Sequence, residues 1–161
     1  MKLNEEVAKH FRDVYSGDNW TSVNLQDTLH GITWEQANTK IRDLHTIAEL
    51  LFHINYYVDV VLKRLKGEPL VASDTLSFTL PPIENEHDWQ LLIDKVASDA
   101  EAFTDEIRKI ADHDFEKNIA DPKYGSYYRN IHGIVEHNHY HLGQIVLLKK
   151  LIQTVPGNNV Q

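Results

Sequence analysis

Apolar residues recur every three or four positions along four long stretches of this chain, the spacing of a single helix face. In the first, about Leu3 to Tyr15, Leu3, Val7, Phe11 and Val14 fall on one side, and Ser16-Gly17-Asp18-Asn19 ends it. Leu25 to Leu29 predicts a short turn of helix. Thr33-Trp34-Glu35-Gln36 carries a capping-box signature, a hydroxyl followed three residues on by glutamine. The second long stretch sets Ile47, Leu50, Ile54, Tyr57, Val58, Val61 and Leu65 at helical spacing. It predicts a helix from about Asp43 to Lys66, on the order of 35 Å long. Lys63, Arg64 and Lys66 suit its C-terminal dipole, and Gly67 the position just beyond. The third runs from about Glu86 to Ile110 through Trp89, Ile93, Val96, Ala100, Phe103 and Ile107. The fourth spans about Tyr127 to Gln153, with Pro156-Gly157 beyond it.

Two long connections separate these stretches. Gly67 to Pro82 contains Pro69, Pro81 and Pro82 and crosses between helices. Its piece Leu76-Ser77-Phe78-Thr79-Leu80 alternates like a short strand, but no partner strand is evident, so an extended or irregular path is expected. Asp112 to Ser126 forms the second crossing, with Asp121-Pro122-Lys123-Tyr124-Gly125 as turn chemistry. Four amphipathic helices with two long crossovers predict an all-α four-helix bundle. One domain over residues 1–153 and a short tail over 154–161 follow.

Composition narrows the chemistry. A chain of 161 residues is long enough to bury about two-thirds of its unfolded surface without staples. It has no cysteine, which removes disulfides, thiolate metal sites and catalytic thiols together. Asp and Glu outnumber Lys and Arg by 24 to 16, a formal net charge of −8, which argues against a nucleic-acid partner. No apolar run approaches the ~18 residues of a membrane span. Met1-Lys2-Leu3-Asn4-Glu5-Glu6 meets acids before any apolar run, so no export signal is expected and a cytoplasmic location is. The unusual feature is 10 histidines.

Their directions matter more than their number. At 100° per residue, His137 and His141 lie about 40° apart, within the apolar stripe that holds Ile134, Ile145 and Leu148. His132 and His139 point to the opposite side. On the second long helix His53 borders the stripe of Leu50, Tyr57 and Val61, while His45 is turned away. Burying an unpaired imidazole costs a few kcal/mol, so inward histidines need partners. One reading is a metal site: an i, i+4 pair from one helix and a third imidazole from another, with a fourth position open, as in catalytic zinc sites. Glu49, one turn before His53, is a candidate to orient it, and Asn138 or Gln144 to bond a far ring nitrogen. The other reading is a metal-free bundle whose histidines are satisfied in the core. Spacing alone leaves both open, and no catalytic residue is assigned.

His137-Asn138-His139-Tyr140-His141-Leu142-Gly143-Gln144-Ile145 resembles the last-helix motif of the DinB-like (YfiT-like) superfamily. Ile47-Ala48-Glu49-Leu50-Leu51-Phe52-His53-Ile54, running on to Leu65-Lys66-Gly67, is similar to that family's second-helix motif. Asn19-Trp20 and Leu29 to Ala37 resemble its linking region. The resemblance implies a four-helix bundle holding a divalent metal, usually zinc or nickel, on His53, His137 and His141. It implies a homodimer and a small-molecule substrate. Characterised members include bacillithiol S-transferases and a mycothiol-dependent isomerase, and others are described as metal-dependent hydrolases. The expected function is therefore thiol-dependent S-transfer, with a small cofactor thiol, or hydrolysis; the alternative is a non-catalytic, dimerising metal-binding module.

Overall fold

The computed structural model describes residues 2–154, all of them helical or loop apart from one isolated antiparallel bridge, Asn118 to Ser126. Most of the 154–161 tail, including Pro156-Gly157, lies outside the described residues. Six α-helices follow in order: α1 (Leu3–Ser16), α2 (Leu25–Leu29), α3 (Trp34–Ala37), α4 (Ile47–Leu65), α5 (Glu86–Lys109) and α6 (Tyr127–Thr154). The four long ones form the bundle. α1 packs on α5 and α6, and α4 packs on the same two, so the long helices close a ring around one core.

The apolar stripes meet inside that ring. Phe11 from α1, Leu51 and Ile54 from α4, Trp89, Phe103 and Ile107 from α5, and Ile131 and Ile145 from α6 are all fully buried. Trp89 also has its indole N–H satisfied, donating to the Ile32 carbonyl at 2.9 Å and so tying α5 to the turn before α3. Phe11 meets Phe103 edge-on at 4.6 Å, one of the contacts that joins α1 to α5.

Helix ends explain the boundaries. The Thr33–Gln36 capping box forms as predicted, each side chain meeting the other residue's backbone. α4 begins at Ile47, four residues later than expected. A second capping box, Thr46 with Glu49, starts it there, and just upstream Arg42 adopts φ 50°, in the left-handed region, which no helix can pass through. At its other end Gly67 takes φ 95°. The Glu68 amide donates to the Lys63 carbonyl and the Gly67 amide to that of Arg64, a Schellman closure.

The strand-like alternation of Leu76 to Leu80 makes no strand, in line with the irregular path expected for it. Leu76–Phe78 is a short 3-10 turn, because a lone strand has no ladder to join. Its polar residue points in and its leucine out: Ser77 is fully buried and Leu76 is 55% exposed. The second crossing contains two more such turns, Asp112–Asp114 and Pro122–Tyr124. Among the described residues no helix is long and apolar enough to cross a membrane.

Candidate metal centre

α4 and α6 pack side by side, and their inward edges bring three imidazoles together. His53, His137 and His141 each offer a ring nitrogen, and these nitrogens all lie within 4.8 Å of one another. The Nε2 of His137 stands 3.1 Å from the Nε2 of His53 and 3.1 Å from the Nε2 of His141. His53 and His141 are buried and His137 is half-buried.

The outer nitrogens decide which atoms are free. Nδ1 of His141 lies 2.7 Å from Gln144 Oε1, an acceptor, so the hydrogen sits on Nδ1. Nδ1 of His53 lies 2.9 Å from Ser77 Oγ. That hydroxyl donates its own hydrogen to the Asp74 carbonyl at 2.7 Å, and therefore accepts from the ring. Both rings then present a bare Nε2 lone pair to the common point. His137 Nε2 can donate to at most one of them, so with neutral rings at least one pair of nitrogens is left 3.1 Å apart with no hydrogen between. A divalent cation removes that conflict. Nitrogens about 2.0–2.1 Å from a tetrahedral zinc ion stand about 3.3 Å apart, close to the separation found. The donor set fits the metal.

Electrostatics agree with this assignment. Burial, followed by the neighbouring imidazoles, lowers the His53 pKa to about 4. Burial, then His141, lowers that of His137 to about 4. His141 is also lowered by burial, against the opposing pull of Gln144. All three are neutral at pH 7, the protonation state that ligands a metal.

Glu49 does not back His53. Its Oε2 accepts from the Thr46 amide at 2.8 Å, from Lys40 at 3.2 Å, and faces His45 Nδ1 at 3.2 Å. Its carboxylate pKa stays below the ordinary range because these bonds outweigh the opposing effect of its burial. Of the two other candidates, Gln144 orients His141 as expected. The amide nitrogen of Asn138 goes instead to the Tyr15 hydroxyl at 2.9 Å. Ser77 lies beyond what the sequence pattern marks; nothing in the periodicity singles out a serine inside an apolar alternation as a partner for a ring 24 residues away. Around the centre, Phe78 stacks on His53 at 4.0 Å, and Tyr57 meets the edges of His53 and His137 at 5.2 and 5.1 Å.

The histidines on the opposite side of α6 stay apart. His132 and His139 occupy the far side of α6, facing His10 of α1 with ring centroids 6.3 and 6.5 Å away. A groove of about 900 Å³ between α1, α2 and α5 is lined by none of the three clustered histidines.

A helical bundle with three imidazoles converging from two facing helices defines a site able to hold a divalent metal. The sequence model of the DinB superfamily matches residues 19–145, and the chain belongs to that family. No curated protein and no solved structure matches it.

Proposed function

We propose that this chain is a metal-dependent enzyme acting on a small molecule, with His53, His137 and His141 holding zinc or nickel. The observation that carries the reading is the set of three Nε2 atoms, two of them 3.1 Å from the third, with the outer nitrogens of His53 and His141 already bonded. No fourth ligand-type side chain joins the group among the described residues. The carboxylate best placed along α4 to close it, Glu49, is held by Thr46, Lys40 and His45. That supports an open coordination position, and so an enzyme over a closed structural site.

A divalent ion held there would supply Lewis acidity, able to ionise a thiol or a water at neutral pH. The chain's own part is positional. Gln144 and Ser77 fix two ring tautomers, and Phe78 covers one face of His53. The Tyr57 hydroxyl donates to Asp74 Oδ1 at 2.6 Å, so it steadies the loop and is not free to serve as an acid. The reaction is either transfer to a small cofactor thiol or hydrolysis.

The first experiment is elemental analysis of tag-free protein after loading with zinc and with nickel. Wild type is expected to retain a stoichiometric ion and His141→Ala to lose it; wild type without metal ends this reading. Loaded protein is then assayed with cofactor thiols against an electrophilic acceptor, and with ester and amide substrates. A cobalt-substituted site whose spectrum ignores added thiol and azide would point to the non-catalytic module instead.

A further inference from the structure

Every ring at the centre is carried by a bundle helix, yet one of the atoms that orients them is not. Ser77 arrives from the first crossover, and its burial is complete in a stretch that is otherwise mostly exposed. The turn that carries it is anchored to α4 in three ways. Tyr57 Oη donates to Asp74 Oδ1 at 2.6 Å, and Tyr56 Oη accepts from the Ser73 amide at 2.8 Å. The Phe78 ring lies nearly parallel to His53 at 4.0 Å and to His45 at 4.2 Å, wedged between imidazoles two turns apart on and before α4. Two consecutive tyrosines and one aromatic wedge thus set where Ser77 Oγ sits.

We propose that Ser77 is a positioning residue for metal binding: it holds His53 with its hydrogen on Nδ1, so that Nε2 offers its lone pair to the ion. The proposal rests on the metal reading given above. Without an acceptor at Nδ1, the ring also populates the form that carries its hydrogen on Nε2, which must shift that hydrogen before it can ligate. It also loses the basicity that a bonded Nδ1–H confers on Nε2. The division of labour is uneven: α6 orients its own His141 through Gln144, whereas α4 depends on a loop for His53.

The test uses full-length wild type, Ser77→Ala, Ser77→Thr and Tyr57→Phe. The His53 tautomer is read by long-range nitrogen–proton NMR on metal-free protein, and zinc affinity by competition with a chromogenic chelator. Wild type is expected to show the hydrogen on Nδ1. Ser77→Ala should lose that preference and bind zinc about 10- to 100-fold more weakly, with helical circular dichroism retained. Ser77→Thr, which keeps the hydroxyl, should recover the tautomer and most of the affinity. Tyr57→Phe frees Asp74 while leaving Ser77 in the chain, and should give a smaller loss of the same kind. It decides the matter if Ser77→Ala does not fold. A Ser77→Ala protein with the wild-type tautomer and wild-type zinc affinity overturns the proposal, as does an undisturbed Tyr57→Phe in that case. If wild type binds neither zinc nor nickel, the metal reading fails separately, and the tautomer of metal-free Ser77→Ala still decides what Ser77 does.

Discussion

At the scale of single residues, the polar atoms in the core are informative because each needs a reason to be there. Wheel arithmetic picks out His137 and His141 as misfits on an apolar stripe, sets His132 and His139 on the opposite side, and ranks His45 below His53. Gln144 is legible too, three residues from His141 and on its side. Ser77 is not, since its role depends on a loop path that no period encodes. Trp89 shows the same limit: its place in the apolar pattern is plain, but its N–H bond to the Ile32 carbonyl joins residues 57 apart in sequence. Trp89→Phe keeps an aromatic ring in the core but leaves that carbonyl without its donor and a void beside it, so denaturant unfolding should report a loss of at least about 1–3 kcal/mol.

At the scale of elements, the long helices follow from periodicity, whereas their ends depend on local chemistry. Periodicity carries the helix back to about Asp43 and passes over the Thr46–Glu49 box that starts it. The left-handed turn at Arg42 is equally hidden, because arginine gives no sign of favouring that conformation. α1 is a sharper case. Its residue Lys2 supplies no side-chain cap, and Asp112 instead accepts from the Leu3 and Asn4 amides at 3.1 Å from 109 and 108 residues away. Thr46→Ala should destabilise the fold by about 1 kcal/mol through loss of the cap. Glu49→Gln should weaken the same helix start yet leave zinc affinity unchanged, as measured by chelator competition, because the carboxylate is turned away from His53.

For the whole molecule, the three lowered imidazole pKa values link stability to pH. In metal-free protein, His53 and His137 titrate at about 4, whereas the unfolded chain's histidines titrate near 6.5. Between those values the unfolded state binds protons that the native state refuses. Stability is therefore complete above about pH 6.5, falls as the pH drops, and stops falling from this source below about pH 4. Melting curves with chelator present should show that decline, and a triple His→Ala variant should show a shallower one, since His10, also lowered by burial, still contributes. With zinc at 100 times its Kd, neutral wild type should gain about 2.7 kcal/mol and His141→Ala nothing.

The separation of the ligands along the chain adds a further consequence. His53 and His137 are 84 positions apart, so an ion gripping both ties α4 to α6 across the intervening α5 and both of its flanking crossovers. In a polypeptide without cysteine, that is the nearest thing to a disulfide. Because the three imidazoles meet only in the folded bundle, the ion leaves on unfolding, and what it adds to stability is set by the free metal concentration and not by loop entropy. Unlike sulfur, this tether can be untied by acid or a chelator and retied within the same experiment.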